Sequence, residues 1–164
     1  MKRVILDTNI YGTIVLDKDR NLLKDTIIKS REVVVYGFSL IRKELRDTPR
    51  SIRIEGINLR NYLLNIYDEI TKNRTLSNTR EIEDVAKAYF IAYKELGGLK
   101  RKEIITDFMI IATGSVHELD IVVSQDNRTM LSDKAIKAYA IVNKIKSLRL
   151  PRLLNYEKFK KEIM

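Results

Sequence analysis

Short apolar runs alternate with longer amphipathic stretches along this chain. Arg3 to Leu6, Glu32 to Tyr36 and Leu119 to Ser124 are rich in Val, Ile and Leu. Runs of that kind predict strands buried on both faces. Asn21 to Ser30 predicts a short amphipathic helix. Leu59, Tyr62, Leu63, Ile66, Tyr67 and Ile70 keep a helical period, as do Val85, Tyr89, Phe90, Tyr93 and Leu96. Such stripes read as core or helix-hairpin packing, and alternatively as a homodimer surface.

Local punctuation sets the boundaries. Gly37 punctuates the second strand, and Ser39 is a candidate N-cap for a helix that carries Glu44 and stops before Pro49. The second long helix opens at Asn78 or Thr79 and closes at Gly97-Gly98, with Arg74 to Asn78 as a short strand before it. Thr106 is a candidate cap for a helix from Asp107 to His117. A further helix runs from about Ser132 to Lys146. Leu148 to Leu154 contains Pro151 and so suits an edge strand, and Asn155 caps a last helix, Tyr156 to Ile163. Strands alternating with helices predict an α/β fold, a three-layer α/β/α sandwich around a mainly parallel sheet of four to five strands. With no repeat or linker, residues 1–164 read as one domain with a basic strand-helix extension from about 148.

Charge and composition narrow the chemistry. The net charge is +9, and Lys134 to Met164 holds nine Lys or Arg against two Glu. That end suggests a polyanionic partner, with Lys144, Lys146, Arg149 and Arg152 as nucleic-acid-binding candidates, or simply a solvated surface. The chain has no cysteine, which excludes disulfides, thiolate metal sites and Cys nucleophiles. Its one histidine, His117, falls at a helix end, where a cation suits the helix dipole. Any catalysis is therefore expected to rest on carboxylates. No apolar stretch approaches 18 residues and the start lacks a signal-peptide core, so no membrane and a cytoplasmic location are expected.

Four carboxylates stand where such chemistry would gather. Asp7 ends the run Val4-Ile5-Leu6, and Asp126 follows the run Ile121-Val122-Val123. Glu44 lies in the segment that opens at Ser39, and Asp107 follows Thr106 at a helix start. Ligands of an open α/β sheet bind outside the carboxyl ends of its strands, so these acids are expected to converge. Carboxylates about 5 Å apart repel by about 3 kcal/mol per pair at an effective dielectric of ~20. A hard divalent cation, Mg²⁺ or Mn²⁺, is the natural counter-charge. Each acid taken singly also has an ordinary role as a turn, cap or exposed helix residue.

Jointly the four segments resemble a known family. Ile5-Leu6-Asp7-Thr8-Asn9 resembles the opening of the PIN-domain nucleases, and Ser39-Leu40-Ile41-Arg42-Lys43-Glu44-Leu45 is similar to their second motif. Asp107-Phe108-Met109-Ile110-Ile111-Ala112 is similar to their Asp-x-x-Ile-x-Ala helix start. Val122-Val123-Ser124-Gln125-Asp126 is similar to the strand leading to their fourth acid. The motifs occur in the family's order across residues 3 to 130. One departure is Thr129-Met130, where many members carry a further Asp-Phe pair. The resemblance implies a metal-dependent endoribonuclease with Asp7, Glu44, Asp107 and Asp126 on Mg²⁺ or Mn²⁺. Thr8, Asn9, Ser39, Asn127 and Thr129 would be supporting polar groups, and a second metal would be held less tightly. It also implies RNA as substrate and, for members of the VapC toxin type, a partner antitoxin.

Competing readings have less support in the residues. A haloacid-dehalogenase-type phosphatase needs a second Asp two positions after the first, where this chain has Asn9. A receiver domain needs an acidic pair and a later Lys that are not found, and no P-loop motif occurs. An RNA-binding or partner-dependent module with little or no nuclease activity remains the alternative.

Overall fold

The computed structural model describes residues 1–99 and 103–164. The chain begins with β1 (Lys2–Leu6), α1 (Thr8–Leu16), α2 (Arg20–Lys29), β2 (Val33–Phe38) and α3 (Ser39–Arg46). A hairpin of β3 (Arg53–Ile54) and β4 (Ile57–Asn58) leads into α4 (Leu59–Thr71), β5 (Thr75–Leu76) and α5 (Arg80–Glu95). Then come α6 (Ile104–Val116), β6 (Ile121–Val123), α7 (Asp133–Lys146), β7 (Arg152–Leu154) and α8 (Tyr156–Ile163).

The fold is α/β. Five strands form one sheet in the order β5-β2-β1-β6-β7, and every neighbouring pair is parallel. Val4 pairs with Val35 on one side and Ile121 on the other, so the central strand is apolar on both faces. One helical layer groups α1 to α4, with α8 against α2; the other groups α5, α6 and α7. The two tyrosine-rich helical stripes lie in this core: Leu63, Ile66, Tyr67, Ile70, Val85, Tyr89 and Tyr93 are all buried. These residues serve core packing, while Leu59, Tyr62 and Phe90 of the same stripes are partly buried and Leu96 is exposed. Among the described residues, no helix is long and apolar enough to cross a membrane.

Several local expectations need correcting. Gly37 lies inside β2 rather than ending it, because a Cβ there would stand 2.0 Å from the Tyr67 hydroxyl. That hydroxyl reaches past the glycine to Thr75 Oγ1, at 2.9 Å. Ser39 does not cap α3; Phe38 holds the cap position without a side-chain bond, and Ser39 Oγ accepts from Asn78 N. Thr106 does not cap α6, which starts earlier, at Ile104. The expected cap Asn155 does accept from a backbone N–H of α8, and Thr79 and Ser132, near the expected starts of α5 and α7, do the same for those helices.

Two elements had no sequence signal. Thr8 to Leu16 is rich in β-branched residues and contains Gly12, yet it is helical. Asp7 caps it, and Ile10, Tyr11, Ile14 and Val15 bury one face. Packing overrides propensity here. The β3–β4 hairpin turns on Glu55 and Gly56, at φ 53° and 77°.

Two buried tyrosines make opposite predictions. Tyr89 Oη lies 2.6 Å from Asn143 Oδ1 and 3.0 Å from Ser115 Oγ, to which Asn143 Nδ2 donates at 2.9 Å. Tyr89→Phe should cost about 1–3 kcal/mol, because two buried polar groups lose a partner. The Tyr11 hydroxyl is buried with no partner. Tyr11→Phe should leave stability unchanged or raised, since only an unpaired polar group is lost. Urea titrations of the two variants check both, and equal losses would contradict the assigned networks.

Candidate functional site

The chain builds β2 and β5 on one side of β1, then returns to build β6 and β7 on the other. The direction of winding thus reverses between β1 and β6. A crevice at such a reversal, beyond the carboxyl ends of the strands, is where open parallel sheets bind ligands. Asp7 and Ser124 are the first residues after these two strands.

Asp7 is 4% exposed. Its N–H donates to Val123 O at 2.9 Å, extending the ladder by one bond. Its Oδ1 accepts from Thr8 N at 2.8 Å, and its Oδ2 accepts from Ser124 Oγ at 2.7 Å. Ser124 is fully buried, and its Oγ also accepts from Asp126 N at 3.0 Å. One hydroxyl therefore joins the first acid to the fourth. The sequence reading assigned Ser124 no role; its only signal was its place at the end of a buried strand, two residues before an acid.

Asp126 closes a tight turn. Its Oδ1 accepts from Arg128 N at 3.2 Å and Thr129 N at 3.0 Å, and its Oδ2 accepts from the Thr129 hydroxyl. Thr129, 8% exposed, points inward, with Oγ1 3.3 Å from Asp107 Oδ2. A hydroxyl carries one proton, so it cannot donate to two ionised carboxylates at once. Its bond to Asp126 is the closer one, which leaves Asp107 the less satisfied of the two acids.

The electrostatics agree with that ranking. Burial first, then the Asp7 and Asp126 charges, push Asp107 up to about 8, against the lowering effect of Thr129 and with a further rise from Glu44. Burial also pushes Asp7 up to about 6, although the bonds from Ser124 and Thr8 lower it; Asp126 adds a further rise. Glu44 is exposed at the rim. Desolvation of its inward side and the Asp7 charge still raise it, and the nearby Thr8 hydroxyl lowers it. That hydroxyl has no hydrogen-bond partner among the described residues. Among the described residues, the charges acting on these three acids are negative.

The other expected residues divide. Asn9 Oδ1 accepts from Gln125 N at 3.3 Å, which ties α1 to the turn holding Asp126 and leaves the Asn9 amide N–H groups outward. Ser39 is committed to Asn78. Asn127 is exposed, on the turn. Lys144, Lys146, Arg149 and Arg152 are not brought to the acids. Helix α7 starts beside Thr129 and leads away from it, and Arg152 pairs with Ile121 at the amino end of β6. Arg149 bonds Asp120 and Arg152 bonds Glu162, at 3.1 and 2.8 Å. These four residues lie at the opposite pole of the sheet.

Among the described residues, no three acidic or histidine side chains already stand at the spacing of ligands around one ion. The donor set nonetheless suits a hard cation: carboxylates and hydroxyls, with no cation among the charges acting on them.

A raised carboxyl pKa makes the metal-free fold weaken as pH rises. The Asp107 contribution is fully present below its ordinary 3.8 and is lost as pH climbs through about 8; that of Asp7 is lost through about 6. The melting temperature of the metal-free protein should therefore fall between pH 5 and about 8.5. Asp107→Asn should flatten that fall, and ¹³C titration should give an Asp107 carboxyl midpoint far above that of a free Asp. Ordinary midpoints for both Asp7 and Asp107 would contradict the coupling.

Neither any protein-family model nor any curated protein matches this sequence. Its fold does have a likeness among solved structures, in a chain of the crystal structure of VapBC2 from Rickettsia felis bound to a DNA fragment from their promoter. The TM-score is 0.61 at 12% sequence identity, covering 94% of this chain and 98% of that one. Over nearly their whole lengths the two chains share an α/β fold.

Proposed function

We propose that this chain is a metal-dependent endoribonuclease of the PIN-domain type, acting in the cytoplasm as one domain over residues 1–164. Asp7, Glu44, Asp107 and Asp126 would hold Mg²⁺ or Mn²⁺, some directly and some through water. The observation that carries this reading is the meeting of four mutually repelling acids at the reversal point of a parallel sheet. The fold shared with a VapBC2 chain supports it, and favours the toxin branch of the resembled family, with a protein antitoxin as partner.

A bound divalent ion supplies charge neutralisation and a more acidic water for phosphodiester hydrolysis. The rest falls to side chains. Ser124 holds the Asp7 carboxylate and the Asp126 backbone in one frame. The unpartnered Thr8 hydroxyl and the free Asn9 amide can bond phosphate oxygens. A carboxyl raised as far as that of Asp107 would have to be deprotonated to hold a cation, so binding should release protons and strengthen as pH rises towards about 8.

The direct test is cleavage of single-stranded RNA with added Mn²⁺. Asp7→Asn or Asp107→Asn should lower the rate by at least about 10²-fold, the scale of single preorganised electrostatic groups. Circular dichroism should show both variants folded. Near-parent turnover in either variant would remove that residue from the site. An inactive parent that still binds RNA would instead favour the alternative reading, a binding module.

Thr129 allows a second test. With a threonine between Asp107 and Asp126, the free protein should hold one Mn²⁺ clearly more tightly than any other. Thr129→Asp adds an oxygen donor and a charge at an inward-facing position, and should strengthen the weaker site. Two equally tight ions in the parent would overturn this.

A further inference from the structure

Basic residues also stand near the acids in the chain outside the C-terminal third: Arg128 follows Asp126 by two positions, and a larger group surrounds Glu44. Residues 43–60 carry Lys43, Arg46, Arg50, Arg53 and Arg60 against Glu44, Asp47 and Glu55. Glu44 faces the acid cluster, and Glu55 is paired with Arg20 at 2.9 Å. Among the described residues, none of the five cations lies within ion-pair distance of a carboxylate. Lys43, Arg46, Arg50 and Arg53 are exposed, and so are Ile52 and Ile57 between and beside them.

This segment is built, not loose. Ile54 and Leu59 pack against the core. Leu59 N donates to Ile52 O at 3.0 Å, and Asn58 Nδ2 donates to Arg50 O at 2.7 Å while its Oδ1 caps α4. The Arg20–Glu55 pair pins the hairpin tip to the start of α2. The surface therefore leaves the site at Glu44 and ends over the junction of α1 and α2.

We propose that α3 and the β3–β4 hairpin form the track that carries the phosphate backbone of single-stranded RNA to the acids. This rests on the nuclease reading above. The physical need is plain: an acid cluster repels a polyanion, so counter-charges have to line the approach. Unpaired arginines with exposed isoleucines suit a single strand, since the guanidinium groups meet phosphates and the apolar side chains meet base faces. The cations of the opposite pole cannot serve there.

The test compares two triple variants of the full chain. One combines Arg46→Ser, Arg50→Ser and Arg53→Ser; the other combines Lys137→Ser, Lys144→Ser and Lys146→Ser on α7. The probe is a fluorescein-labelled oligouridylate, bound in EDTA so that it stays intact. The first variant should bind at least about 10-fold more weakly, with its log-affinity against log-salt slope flattened by about 2, at about 0.7 per phosphate contact. The second should match the parent. Hydrolysis of bis(p-nitrophenyl) phosphate with Mn²⁺ should be equal in all three proteins, because that small ester needs no track. Parent-like RNA binding by the first variant, an equal loss in the second, or a parent that binds no RNA would overturn the proposal. A parent that binds RNA through the hairpin but hydrolyses neither RNA nor the small ester would sink the nuclease reading and leave the track standing.

Discussion

Mutual repulsion among four carboxylates is the constraint around which this site is arranged. Asp7, Glu44, Asp107 and Asp126 come from four elements that meet at one crevice, and the first three have raised pKa values. Among the described residues, hydrogen bonds ease them in part, but no cation stands among the charges acting on them. The cost is carried by the rest of the fold: a sheet buried on both faces, with Val4, Ile5 and Leu6 fully enclosed behind Asp7. A site that opposes folding in this way needs a core that overdetermines it.

The hydroxyls of Ser124 and Thr129 explain how the acids stay placed without being neutralised. A lysine at either position would relieve the repulsion and would also take the place of the divalent ion proposed above. A hydroxyl donates one hydrogen bond, fixes a carboxylate's orientation and leaves its charge intact. Ser124 links Asp7 to Asp126 across the reversal point, and Thr129 links Asp107 to Asp126 across α6 and the turn. Asp126 is thereby the hub, with three hydrogen bonds on its carboxylate. Asp7 keeps more of its acceptor capacity, and Glu44 keeps most.

Much of this was legible in the sequence. The buried strands announced themselves as unbroken apolar runs, and strand-helix alternation gave the parallel sheet. Asp7 and Asp126 were visible because each comes just after such a run, whereas Glu44 and Asp107 lie inside helices and stood out only as parts of longer motifs. What escaped was whatever depends on a distant partner. Helix α1 looks strand-like until Asp7 caps it and the core buries one side of it. Gly37 looks like a terminator until Tyr67 is seen to occupy its missing side chain's space. Ser124 was quoted inside a motif and given no role, since its two bonds link residues far apart in sequence.

The basic C-terminal third shows the same limit in another form. Net charge is a property of composition, but its use depends on which end of a strand a residue reaches. In a parallel sheet, every helix that returns to start the next strand carries its last residues away from the carboxyl-end crevice. For α7, whose 14 residues rise about 1.5 Å each, that is about 20 Å. Lys144 and Lys146 end this helix, and Arg149 and Arg152 follow before the chain turns back. The same logic applies to the C-terminal helix. Far from being a loose basic tail, α8 is tied in where Lys160 and Tyr156 bind Asp17 and Gln125 Oε1 accepts from Tyr156 N. Its charge is therefore spent within the fold, on Asp17, whereas the exposed cations of α3 and the hairpin, which flank and follow Glu44 in the chain, are free of ion pairs among the described residues.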